Sequence, residues 1–216
     1  MNGTKRLLLV IVALMVGAVA GVGFYYWHQG KYYVSTEDAR VTGDIFKVNP
    51  QMTGKLIEFL VGEGDHVVKD QIIGRQEMIN QPSVAVETSV LRSPIDGIII
   101  KKQANIGEIV SPGQTLAMVV NPAEIYITAN IEEKKVLRIQ PGQPVEVTID
   151  QFGARKFTGQ VDSIGQAANS AFSLLPTATS GNFTKVIQKV PVKIVLDNFE
   201  EQLLPATNAA VKIHLR

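Results

Sequence analysis

The sequence contains no cysteine. Disulfides, thiol nucleophiles and cysteine-ligated metals are therefore excluded, while the redox compartment is left open. Histidine is scarce: His28, His66 and His214 are scattered, with no i,i+4 pair and no carboxylate at ligand spacing, so no metal site is expected. Charge of neither sign is in excess. The 21 Lys+Arg against 20 Asp+Glu leave a formal net charge of +1, which gives no reason to expect nucleic acid as a partner. Motifs of catalysis are missing too. Gly17, Gly21 and Gly23 lie in an apolar run rather than a phosphate loop, and no G-x-S-x-G or similar nucleophile motif is present. Asp38, Asp65 and Asp96 sit in polar or turn contexts that need no catalytic role. No enzyme is expected.

What the chain does have is apolar. Of its 216 residues 45% are hydrophobic, enough for one or two small domains with cores of their own. Leu7 to Trp27 is an uncharged run that as a helix would be about 31 Å long, the thickness of a bilayer core. Lys5 and Arg6 precede it, and Phe24, Tyr25, Tyr26 and Trp27 close it like an interfacial aromatic belt. This pattern predicts a single-pass anchor with the N-terminus in the cytoplasm and residues 28–216 outside, periplasmic or extracellular. The alternative is a signal peptide cleaved after Ala20 at Ala18-Val19-Ala20, but the apolar run continues past that point. Either reading exports the rest.

The remainder reads as short strands broken by turns, and it contains an internal repeat. Gly54 pairs with Gly97, Gly64 with Gly107, Val67 with Val110 and Gln71 with Gln114, each at an offset of 43. Each unit is a turn, a strand, a second turn with glycine and a short strand. The glycines are expected to occupy left-handed backbone, where a Cβ would clash. Neither unit can bury its apolar face alone, so the two are expected to interlock.

After Asn121-Pro122 the pattern changes. Ile125, Ile127, Ala129 and Ile131 alternate with polar residues, as do Val145, Val147 and Ile149, then Val190, Val192, Ile194 and Leu196, then Val211, Ile213 and Leu215, while Phe157 and Val161 suggest a further strand. Glu132 to Arg138 reads as a short helix, acidic first and basic last, ended by Pro141-Gly142. About five antiparallel strands with one helix predict a small β-barrel. Between strands, Ala171 to Asn182 is a turn-rich loop whose apolar Phe172, Leu174 and Leu175 either cap the barrel or contact a partner.

The segment Gly107-x-x-Val110-x-x-Gly113-Gln114-x-Leu116 resembles the half-motif of biotinyl and lipoyl carrier domains, and the first unit fits it with Asp70 in place of Gly113. In such carriers the modified lysine sits on a hairpin between the halves. Here that position falls on Asn80, and no lysine lies between Arg75 and Ser93. The resemblance therefore implies the scaffold of a carrier without its cofactor.

Taken with Thr36-Glu-Asp-Ala-Arg-Val41, Val48-Asn-Pro-Gln-Met-Thr-Gly54, Pro141-Gly-Gln-Pro-Val145 and the stretch from Phe172 to Val192, the chain resembles the HlyD-type membrane fusion proteins, and within them the EmrA-like subgroup. The resemblance implies an all-β fold behind one N-terminal transmembrane helix: a lipoyl-like barrel-sandwich hybrid plus a small antiparallel barrel. The expected division is an anchor over 1–31, an extended linker or strand over 32–47 that joins the barrel, a lipoyl-like domain over 48–121 with halves 48–77 and 91–121, and an adaptor barrel over 122–216. It implies an adaptor of a multidrug or small-molecule exporter, a transporter of the major-facilitator type as partner, and self-association at the cytoplasmic membrane. In one respect the sequence departs from the pattern. Typical members carry a long coiled-coil hairpin between the lipoyl halves, whereas Gln76 to Thr88 is short, contains Pro82 and shows no heptads. An outer-membrane channel as partner is left open. The alternative function is a stand-alone anchored binding or sensor module.

Overall fold

The computed structural model describes residues 3–78, 90–172, 187–197, 199 and 201–215. Among the described residues, helix α1 (Gly3–Tyr32) is followed by fourteen strands. Among the described residues no helix is long and apolar enough to cross a membrane. Leu7 to Trp27, where an anchor is expected, lies within α1. The strands fall into two compact units: residues 1–40, 127–199 and 207–216 in one, and 41–126 with 200–206 in the other.

The second unit consists of two four-stranded sheets. One has the order β2 (Ile45–Val48), β9 (Ala117–Val120), β7 (Gly97–Lys102), β4 (His66–Val67). The other has β6 (Val90–Arg92), β5 (Ile72–Met78), β3 (Gly54–Phe59), β8 (Ile109–Val110). Their shared core holds Leu56, Ile73, Ile99, Val110, Leu116, Ala117 and Val119, all fully buried. Burial of each of the larger side chains contributes roughly 1.5–3 kcal/mol.

The 43-residue repeat is visible in the hydrogen bonds. Gly64 N–H donates to Ile99 C=O at 2.8 Å, and Gly107 N–H donates to Leu56 C=O at 2.6 Å. In return Ile99 N–H donates to Asp65 C=O at 3.0 Å, and Leu56 N–H to Glu108 C=O at 2.8 Å. Each half therefore donates to the other through equivalent atoms. The cross-strand pairs agree: Val67 faces Gly97, and Gly54 faces Val110. Leu56 matches Ile99, and Ile73 matches Leu116, so the core is built from repeat-related pairs.

The first unit carries a closed barrel of order β1 (Tyr33–Thr42), β10 (Tyr126–Glu132), β13 (Lys189–Leu196), β12 (Lys156–Ile164), β11 (Pro144–Ile149), β14 (Asn208–His214). Five of the six strands lie after residue 121, and the sixth, β1, joins by pairing Tyr33 with His214 through to Arg40 with Asn208. Alternation fills the interior with Ile127, Ala129, Ile131, Val147, Ile149, Val192, Ile194 and Ile213. The short helix is smaller than its charge pattern predicts: α2 spans only Glu133–Val136. Two hydrogen bonds from the Arg138 guanidinium, to the carbonyls of Gly30 and Lys31, hold the end of α1, where helix carbonyls lack intrahelical partners.

Candidate functional site

Three places were expected to matter: the turns of the repeat, the position of the carrier lysine, and the apolar loop from Phe172.

Gly64 (φ 90°), Gly107 (φ 95°) and Gly113 (φ 91°) have the left-handed backbone expected of them. Asp70, which stands where the second half has Gly113, has φ 64°. Aspartate is among the few residues that tolerate this region. Both turns also use the same side-chain bond: Gln71 Oε1 accepts from Val68 N–H at 2.9 Å, and Gln114 Oε1 accepts from Ser111 N–H at 3.4 Å.

Gly54 and Gly97 require a correction. Neither has a positive φ; each begins a strand. Their constraint is proximity. A Cβ on Gly97 would lie 2.2 Å from the Val120 carbonyl oxygen, and one on Gly54 would lie 2.7 Å from that of Glu77. Glycine is needed there for close backbone approach between strands, not for a turn.

Asn80, Leu174 and Leu175 lie outside the described residues. Phe172 closes a 3-10 turn, Asn169–Phe172.

The turn that leads into that loop is tied to the barrel by a polar network that the sequence did not reveal. A bulge in β1 between Thr36 and Ala39 brings Asp38 beside β10 and β13. Lys189 Nζ donates to Asp38 Oδ2 at 2.8 Å, and Asn130 Nδ2 donates to Asp38 Oδ1 at 2.9 Å. Asn169 Nδ2 in turn donates to Asn130 Oδ1 at 2.8 Å. The Asp38 N–H donates to Thr36 Oγ1 at 3.1 Å, and that hydroxyl donates to the Asn130 carbonyl at 3.3 Å. One carboxylate thus joins β1, β10, β13 and, through Asn130, the 3-10 turn. Asp65 and Asp96 are turn acceptors, for Gly62 N–H at 2.7 Å and Lys69 N–H at 2.8 Å.

The Lys189 hydrogen bond, with that of Asn130, holds the Asp38 carboxyl below its ordinary value of 3.8, against a smaller opposing effect of burial. A carboxylate lowered in this way stabilises the fold above its unfolded-state pKa, and the contribution is lost as pH falls through the folded-state value. Asp38→Asn is therefore expected to lower stability modestly at neutral pH, by less than about 1 kcal/mol for so exposed a pair. The difference from wild type should vanish in acid below the ordinary carboxylate range. Denaturant titrations of both proteins across pH check this, and a difference that persists at the acid end would assign the effect to something other than charge.

Comparison with known proteins decides the family. Residues 44–122 match the barrel-sandwich hybrid domain of RND membrane fusion proteins, and residues 124–214 match the AAEA-like beta-barrel domain. YhbJ of Bacillus subtilis, named for an efflux system, is 37% identical over 215 residues, spanning 99% of this chain and 94% of that protein. The chain belongs to the membrane fusion proteins. Within the family it is EmrA-like, and it is an adaptor component of an efflux system. The multidrug export protein EmrA of Haemophilus influenzae is 36% identical over 129 residues, which are 59% of this chain but only 33% of that protein. The fold is also that of the periplasmic adaptor protein EmrA, with a TM-score of 0.57 at 13% identity over 85% of this chain and 99% of the other. This membrane fusion protein therefore spans about a third of its EmrA relative but nearly the whole of YhbJ. Membrane fusion proteins work with a transporter and form oligomers.

Proposed function

We propose that the chain is a cofactor-free, non-enzymatic adaptor, anchored in the cytoplasmic membrane by α1, that couples a major-facilitator exporter of small amphipathic compounds to the path beyond. The observation that carries this reading is the match to YhbJ along 99% of the chain. The EmrA relative adds the multidrug class of cargo.

The anchor is supported by sequence: Leu7 to Trp27 carries no charge, falls within α1, and follows Lys5 and Arg6. A reporter active only outside the cytoplasm, fused after Arg216, is expected to be active, and the mature protein should begin near Met1. A mature N-terminus at Gly21 would remove the anchor while leaving export intact.

The lipoyl-like part, residues 48–121, serves as a packing module between copies. Only residues 79–89 join β5 to β6, so the chain works in a shorter assembly than hairpin-bearing adaptors, or with a separate protein as the bridge. Phe172, Leu174 and Leu175 are the proposed contact with the exporter. Charged residues there would add a desolvation cost to a buried interface. Wild type should co-purify with the exporter, and a Leu174→Asp, Leu175→Asp double variant should not, with circular dichroism unchanged. Equal recovery would take this loop out of the interface. Transport that survives deletion of residues 28–216 would overturn the adaptor reading itself.

A further inference from the structure

The end of α1 opens onto a basic pocket. It has a volume of about 310 Å³ and is lined by Gly30, Tyr33, Val34, Ser35, Lys135, Arg138 and Lys212. Three of these side chains are cationic and none is a carboxylate. Arg138 spends two N–H donors on the carbonyls of Gly30 and Lys31. A guanidinium has five, so three remain for a ligand. Lys212 Nζ lies 4.2 Å from the centre of the Tyr33 ring, on the pocket wall.

Two acids moderate this charge without filling the pocket. Glu132 pairs with Lys135 at 2.8 Å, so that lysine is partly neutralised. Glu146 feels Lys212, but its own partner is Lys156 at 2.9 Å. The balance stays positive. A guanidinium fork beside flexible ammonium groups suits the oxygens of a phosphate.

The position says which phosphate. Gly30 lies three residues beyond Trp27, about 4.5 Å further along a helix axis. Trp27 ends the aromatic belt, and aromatic residues sit at headgroup level. Lys31 Nζ stands 5.2 Å from the Trp27 ring, which continues the basic surface towards that belt.

We propose that this pocket binds the phosphate headgroup of an anionic membrane lipid and so fixes the height and rotation of the barrel at the bilayer surface. The inference rests on the reading of α1 as the anchor. A soluble phosphate would offer the same oxygens but would not sit beside the aromatic belt.

Trp27 is the sole tryptophan and is exposed, so it reports on lipid beside the pocket. The full chain is reconstituted in phosphatidylcholine bilayers containing either brominated phosphatidylglycerol or brominated phosphatidylcholine as a minor component. Trp27 quenching should be stronger with the anionic lipid. Each cation near an anionic surface is worth about a fivefold change in partition. A Lys135→Gln, Lys212→Gln variant should therefore lose local enrichment by about tenfold or more, while quenching by the neutral lipid stays. Arg138 is left in place because it caps α1. Lys135→Arg, Lys212→Arg should keep the excess, and circular dichroism checks that each variant is folded. Equal quenching by the two lipids in wild type, or an excess that survives in the glutamine variant, overturns the proposal. Quenching by neither lipid removes the anchor reading and the lipid assignment with it. Suppression of the excess by inorganic phosphate at constant ionic strength would reassign the pocket to a soluble anion, and persistence of the excess supports the lipid.

Discussion

Gly97→Ala is expected to cost about 3 kcal/mol or more, above the usual range for one added methyl group in a packed site. The added Cβ would lie 2.2 Å from the Val120 carbonyl oxygen and 2.9 Å from its carbon. Both atoms are backbone, so no rotamer change can relieve the collision. Relief requires β9 to move, and β9 is paired to β2 on its other side from Ile45–Val120 to Val48–Ala117. Gly54→Ala meets the same obstacle more gently, at 2.7 Å from the Glu77 carbonyl oxygen. Gly64→Ala meets nothing within 4 Å and carries only left-handed backbone strain, about 1–2 kcal/mol. Stability should therefore fall in the order Gly97, Gly54, Gly64, as measured by denaturant unfolding. A Gly97→Ala protein more stable than Gly64→Ala would show that β9 yields easily and that the close approach is not what excludes a side chain.

That ranking separates what the sequence could say about glycine from what it could not. A fixed offset of 43 residues is a statement about order along the chain, and it was readable because both halves keep equivalent residues at Gly64 and Gly107 and at Val67 and Val110. The reason for each glycine was not readable. Close approach at Gly97 depends on Val120, which reaches it through a strand pairing in space. Asp70 shows the converse: an ordinary residue holds the left-handed position that its repeat partner fills with glycine.

The barrel was legible for a similar reason. Period-2 alternation in Val145 to Ile149, Val190 to Leu196 and Val211 to Leu215 is local, and it placed β11, β13 and β14. In β1 the alternation is interrupted by its bulge, so Thr36 to Arg40 does not alternate cleanly, and a strand over 32–47 joining the barrel was expected from the resemblance rather than from that pattern. The Asp38 network was hidden by sequence distance. Asp38 meets Asn130 across 92 positions and Lys189 across 151. Its only local trace is the segment Thr36-Glu-Asp-Ala-Arg, which carried a family resemblance but no mechanism.

Leu56→Ala and Ile99→Ala form the second large prediction, and they test the internal symmetry directly. Both side chains are fully buried in one cluster. Each backbone accepts from a turn glycine of the other half and donates to the main-chain carbonyl of the residue after it, Leu56 with Gly107 and Glu108, Ile99 with Gly64 and Asp65. Truncation of a buried Leu or Ile removes transfer free energy and leaves a cavity, about 2–5 kcal/mol together. The spread in that range reflects how far the surroundings collapse, so equivalent surroundings should give equal costs. The two single variants are expected to agree within about 1 kcal/mol, each inside that range. The double variant should depart from the sum, because the residues share a core and their cavities can relax together. Denaturant midpoints supply the energies, and hydrogen exchange at the amides of Gly64 and Gly107 supplies the local readout. Exchange at Gly107 should rise most for Leu56→Ala, whose carbonyl it uses, and exchange at Gly64 should rise most for Ile99→Ala. Costs that differ twofold, or exchange that rises at the same amide in both variants, would mean that one half folds as a frame on which the other is laid.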